Sequence, residues 1–93
     1  MISKKPMIPR IKSFSILDNY KMLVCFDDGK QVNYDVGDDI RSLSAFHPLV
    51  TQIGLYKSAQ LDKSRTCIYW NEQIDLPSDT IYQYGLDITP ANA

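Results

Sequence analysis

Residues Tyr20 to Val36 constrain the fold more than any other stretch. Two strand-like runs, Tyr20 to Asp27 and Lys30 to Val36, flank Asp28-Gly29. Asp and Gly tolerate the positive φ that a tight hairpin turn requires. In the second run Val32, Tyr34 and Val36 alternate with Gln31, Asn33 and Asp35, the period of a strand with one buried face. In the first, Met22, Val24 and Phe26 alternate with Leu23 and Cys25. Both of its faces are apolar, which places it in the middle of a sheet. Arg10 to Leu17 alternates more weakly, with Ile11, Ser13, Ser15 and Leu17 on one face and Lys12, Phe14 and Ile16 on the other. Asp18-Asn19 is a turn pair. Together these runs predict a three-stranded antiparallel meander.

The rest of the chain predicts short helices and two further strands. Gly37-Asp38-Asp39 breaks the sheet and offers a carboxylate helix cap before Ile40 and Leu43. Pro48 suits the first position of a second short helix, with Leu49, Val50 and Ile53 as its buried side, and Gly54 stops it. Leu55 to Leu61 and Arg65 to Trp70 read as strands around the turn Asp62-Lys63-Ser64. In the second of them Ile68 and Trp70 share a face. Asn71-Glu72-Gln73 reverses the chain, and Pro77-Ser78-Asp79 opens a helix that carries Ile81, Tyr82 and Tyr84 and is capped by Gly85. The expected fold class is α+β: a small antiparallel sheet with short helices in the middle and at the C-terminus. Residues 1–9 read as an extended basic arm, because Pro6 and Pro9 forbid a helix there. Residues 10–86 read as one domain and 87–93 as a loose tail.

Charge and composition narrow the function classes. The net charge of −1 gives no global attraction to nucleic acid or membrane. No apolar run approaches the roughly 20 residues of a membrane-spanning helix, and no export signal is read, so the cytoplasm is the expected compartment. Cys25 and Cys67 each lie in an apolar run and read as reduced thiols packed in a sheet. His47 lacks a Cys or carboxylate at ligand spacing and reads as a surface residue beside Pro48. The aspartates at 27, 28, 35, 38 and 39 lack the alternating oxygen ligands and terminal Glu of a calcium loop. Turn and cap roles account for them. No nucleophile stands with a base and no phosphate loop is present, so no catalytic residue, metal or cofactor is assigned, and an enzyme is not expected. Two binding features remain. Lys4, Lys5, Arg10 and Lys12 form a basic arm able to reach a nucleic-acid backbone. Tyr69, Trp70, Tyr82 and Tyr84 are aromatic anchors for a pocket or an interface, wherever they lie outside the core.

The C-terminal pattern carries a resemblance. Ile68-Tyr69-Trp70, then Ile74-Asp75-Leu76-Pro77, then Asp79-Thr80-Ile81-Tyr82 resembles a bacterial family known as domain of unknown function 2442. Its members look like V/I-x-W, a short turn, then D-L/I-x-x-D-x-L-Y. Leu23-Val24-Cys25-Phe26-Asp27-Asp28-Gly29 resembles the family's apolar strand before an Asp-Gly turn. The likeness runs in order from Pro9 to Tyr84. It departs at Glu72-Gln73, where a glycine is usual, and at Leu43 to Leu49, where Gly-x-Phe-x-x-Leu is usual. Stand-alone members are described as candidate antitoxins beside a small partner gene. The resemblance defines no catalytic residue. It implies a protein-binding module that neutralises a toxin by covering it; in such a module Tyr69, Trp70, Tyr82 and Tyr84 are the expected anchors, with Asp38 and Asp39 able to meet a basic toxin face. A homodimer through an exposed edge strand and operator binding through the arm are further expectations. A small-ligand domain, with an aromatic pocket between sheet and C-terminal helix, is the alternative.

Overall fold

The computed structural model describes residues 8–91. The predicted meander is present: β1 (Ile11–Leu17), β2 (Lys21–Phe26) and β3 (Gln31–Asp35) run antiparallel with β2 in the middle. Met22, Val24 and Phe26 are buried, as are Val32 and Tyr34 opposite them. Phe26 N–H donates to the Lys30 carbonyl at 2.9 Å, which closes a three-residue loop of Asp27, Asp28 and Gly29. Gly29 takes φ of 95° there, the left-handed position such a loop needs.

The weak alternation of β1 has a structural cause. Ile11 pairs with Phe26 and Ser13 with Cys25, so Lys12 is an extra residue, a β-bulge. Beyond it Phe14 faces Val24 and Ile16 faces Met22. Cross-strand partners share a face, so Ile11 joins Phe14 and Ile16 on the core side. The sequence alternation had grouped Ile11 with Ser13, Ser15 and Leu17; the bulge reverses that assignment.

Asp35 ends β3 and caps α1 (Val36–Ser42), its carboxylate accepting from Gly37 N–H at 2.9 Å. The cap is therefore Asp35 rather than Asp38 or Asp39, which lie in the first turn where the helix dipole favours acids. Val36 is buried in that turn instead of extending the strand. A 3-10 turn at Ser44–Phe46 leads to α2 (Pro48–Thr51), one turn long with Pro48 at its start. Only Leu49 of α2 faces the core. Val50 and Ile53 are exposed, contrary to the sequence expectation: Gln52 is extended and Gly54 has φ of 83°, so the helical spacing from Leu49 to Ile53 is never completed.

Leu55 to Leu61 is not one strand. Tyr56–Ser58 forms a 3-10 turn, and only β4 (Gln60–Leu61) pairs. β4, β5 (Cys67–Tyr69) and β6 (Asp75–Pro77) make the second sheet. Its two turns are each organised by one side chain. Asp62 accepts from the N–H groups of Thr66 and Cys67 at 2.9 and 3.1 Å. Asn71 accepts from those of Gln73 and Ile74 at 2.8 and 2.9 Å. α3 (Ser78–Tyr84) packs on both β3 and β6 and so joins the sheets. β7 (Leu86–Asp87) then pairs with β3, and Ile88 N–H donates to the Gln31 carbonyl at 2.9 Å. The start of the tail expected to be loose is thus a fourth strand. No helix among the described residues is long and apolar enough to cross a membrane.

Acid should loosen this fold in a defined direction. The Arg65 guanidinium holds Asp27 below the ordinary carboxylate value of 3.8, the Tyr82 hydroxyl does so for Asp28, and the Ser64 hydroxyl for Asp62. A lowered folded pKa contributes stability that is complete above 3.8 and is lost as pH falls through the folded values. Asp39 has the opposite sign, because burial raises its pKa and its protonation favours the fold. The urea midpoint is expected to fall below about pH 4. Arg65→Met, which removes the main partner of Asp27, should make that fall shallower. An unchanged slope in Arg65→Met would show that the pair does not contribute.

Candidate functional site

The aromatic residues singled out in the sequence do not form one cluster. Trp70 is 7% exposed and lies in the core. Its indole Nε1–H donates to the Tyr56 carbonyl at 2.9 Å, and its ring packs against Phe46 and Tyr56 at 6.4 and 6.2 Å between centroids. Trp70 is a core anchor and offers nothing to a partner. Tyr69, one residue earlier on β5, points to the opposite face and is half-buried. Tyr82 is half-buried on α3: its ring meets Phe26 edge-on at 4.9 Å, its hydroxyl donates to Asp28 at 2.6 Å, and Lys30 Nζ sits 4.0 Å above it. Tyr84 is 72% exposed.

The charged candidates also have internal partners. Asp38 pairs with Arg41, which reaches Asp35 as well. Asp39 accepts from the Tyr34 hydroxyl at 2.7 Å, and burial together with that bond pushes the Tyr34 pKa up. Arg10 and Lys12 are exposed, and their charges help to lower the pKa of Asp27. Acidic Asp27 therefore offsets part of the arm's field. Lys4 and Lys5 lie outside the described residues. Cys25 and Cys67 are unbonded and half-buried, and burial raises the Cys67 thiol, which makes it a poor nucleophile. No group of three or more His, Cys, Asp or Glu able to hold a metal occurs among the described residues.

Two concavities stand out. One, of ≈ 920 Å³, lies where the β2–β3 loop meets α3, and includes Phe26, Asp28, Lys30, Asp79 and Tyr82. Its aromatic lining is Phe26 and Tyr82. Its central polar groups satisfy one another: Lys30 Nζ donates to the Tyr82 carbonyl at 3.0 Å, and Asp28 takes the Tyr82 hydroxyl. A ligand there would have to displace these bonds.

The other is an open groove of ≈ 780 Å³ between the β1–β2 loop and the segment from Leu49 to Lys57. Its floor includes Leu49 and Tyr56, both buried, and its walls carry Leu17, Val50 and Ile53. Ile53 is fully exposed and Val50 half so. Asp18 and Lys57 lie on the rim. One wall is held in an uncommon backbone state: Asn19 and Tyr20 have φ of 62° and 60°, unusual for a bulky residue. The Tyr20 ring rests on Tyr56 at 5.0 Å, and the Tyr56 hydroxyl donates to the Lys21 carbonyl at 2.6 Å. Tyr56 thus fixes the loop that shapes the groove. Sequence reasoning missed this surface because it buried Val50 and Ile53 on a helix that stops at Thr51. The sequence places the stop at Gly54, but the helix already ends at Thr51, where Gln52 turns extended.

No family model, curated protein or solved structure matches this chain.

Proposed function

We propose that the chain is a non-enzymatic protein-binding module, and that its partner lies in the groove beside Ile53. The observation that carries this is the apolar shelf of Leu17, Val50 and Ile53, exposed on an ordered wall and rimmed by opposite charges. Water-exposed apolar side chains set together around a concave surface are the usual mark of an interface. Burying a side chain such as Ile53 against a partner contributes about 1.5–3 kcal/mol. The resemblance at Ile68 to Tyr82 suggests the partner's kind: a small toxin, held inactive because the module covers its working surface. The chain then acts as a cytoplasmic antitoxin by steric binding, and tight docking needs no catalytic group. Tyr84 and Asp38, both exposed, are secondary contacts. Operator contact by Arg10 and Lys12 is a minor part of this reading.

The test is co-expression with the product of the adjacent gene. That product is expected to be toxic alone, harmless with this chain, and co-purified with it. Ile53→Asp should weaken the complex at least about tenfold while the circular dichroism and unfolding midpoint stay unchanged. A neighbour that is harmless alone, or full binding by Ile53→Asp, would sink the reading.

A further inference from the structure

We infer that β1 pairs antiparallel with β1 of a second copy of this chain, in the register centred on Ser15. The inference goes beyond the groove and does not depend on what fills it. It starts from which backbone groups are already bonded. Phe26 N–H donates to the Lys30 carbonyl and Val36 N–H to the Tyr20 carbonyl. Even-numbered residues along β2 therefore bond β3, and its odd-numbered residues bond β1. Through the β1–β2 register, Ser13, Ser15 and Leu17 bond Cys25, Leu23 and Lys21. The N–H and C=O groups of Phe14 and Ile16 consequently face outward, along the edge of the sheet.

Among the described residues that edge is open only over a short span. At Ile11 it is closed, since Ile11 N–H donates to the Arg65 carbonyl at 2.8 Å and Arg65 Nη1 donates back to the Ile11 carbonyl at 3.2 Å. From Ser13 to Leu17 the strand has no charge and no proline, the devices that normally keep an edge from pairing. Phe14 and Ile16 are half-buried, and Leu17 is exposed.

Two-fold pairing must set even-numbered residues opposite even-numbered ones, which leaves few registers. Centred on Phe14, it places Ile16 against Lys12, the bulged residue whose backbone is out of line. Centred on Ile16, it places Phe14 against Asp18, already in the turn. Centred on Ser15, it places Phe14 opposite Ile16 of the second copy in both directions, so every outward group of the two residues is bonded. The same register continues the apolar core face of Phe14 and Ile16 from one chain into the next. The partner is thus a second copy, and the two sheets become one.

Ser15 then faces itself across the axis, as a non-hydrogen-bonded pair with Cα atoms about 4.5 Å apart. That spacing suits a disulfide and forbids two like charges. In sedimentation across a concentration series, the unaltered chain is expected to form a dimer. Ser15→Lys and Ser15→Glu should each be monomeric with an unchanged far-ultraviolet circular dichroism spectrum, and an equimolar mixture of the two should dimerise. Under mild oxidation Ser15→Cys should cross-link to itself at residue 15, whereas Ser13→Cys should not. A chain that stays monomeric at the highest concentration, a dimer untouched by Ser15→Lys, or self-cross-linking of Ser13→Cys in place of Ser15→Cys would overturn the inference. Ile53→Asp should leave the dimer intact, so failure of the groove reading and failure of this one are told apart.

Discussion

Trp70→Ala is expected to remove a large share of the stability of this domain. Its side chain is the largest in the shared core and links the second sheet to the segment around Phe46 and Tyr56. Truncating a buried Trp costs about 3–5 kcal/mol in lost transfer energy and cavity. A chain of 93 residues has roughly 5–14 kcal/mol in total. The melting temperature of the variant should drop by about 15–30 °C. Trp70→Phe separates two contributions. It keeps an aromatic ring beside Phe46 but deletes the N–H donor, leaving the buried Tyr56 carbonyl without its 2.9 Å bond. That omission alone costs about 1–3 kcal/mol. Because this is the only tryptophan, both variants need far-ultraviolet circular dichroism in urea rather than intrinsic fluorescence. A loss under about 1 kcal/mol for Trp70→Ala would mean that the ring is not the anchor its burial implies. The groove should respond as well, since Tyr56 forms its floor: Trp70→Phe is expected to weaken partner binding without touching any exposed residue.

The elements legible in the sequence are those whose burial follows backbone period. Val32 and Tyr34 alternate with polar neighbours, and the Asp28-Gly29 pair marks the turn, so β2 and β3 could be read directly. Elements defined by something other than side-chain period were not legible. β7 shows this best: Leu86 is exposed and Asp87 is polar, and the strand is held by backbone bonds to β3 and by Thr89 bonding Gln31. The bulge at Lys12 hid Ile11 on the wrong face, because one extra residue inverts the alternation that the reading relies on. At Tyr56 an apolar residue in a strand-like run is buried through a 3-10 turn and a hydroxyl bond to Lys21. Of the candidate site residues, Tyr84 and Asp38 are surface groups, while Trp70 belongs to the core. A tryptophan has both the area of an interface anchor and the area of a core anchor, so residue type alone does not separate the two. The apolar shelf escaped for the reciprocal reason. Val50 and Ile53 look like core residues and become surface only because α2 stops after one turn.

Gly85→Ala should be costly for a reason unrelated to backbone freedom. Gly85 has φ of −69° and ψ of 153°, which any residue adopts. What it supplies is space. A Cβ built there lies 2.8 Å from the Ile81 carbonyl oxygen, 2.8 Å from Val32 Cβ and 2.9 Å from Val32 Cγ2. The first is backbone, and the others belong to a fully buried residue in β3, so neither side can yield cheaply. The end of α3 would have to lift from the sheet, and the adjoining β7 would lift with it. Overpacking of this kind costs about 1–3 kcal/mol. Val32→Ala should rescue it only in part, because Val32 Cβ and the Ile81 oxygen remain. Hydrogen exchange gives the local readout: the Ile88 amide, bonded to the Gln31 carbonyl, should lose protection in Gly85→Ala before the rest of the sheet does. Gly29 supplies the contrast. It has open space around a missing Cβ but φ of 95°, so Gly29→Asn should carry backbone strain without a clash, and less of it than Gly29→Ala, since Asn tolerates positive φ better. Gly85→Asn should be at least as harmful as Gly85→Ala. Equal tolerance at both positions would mean that α3 can move away from β3 freely, and that the junction of helix, sheet and tail is not the tight packing that holds the last strand in place.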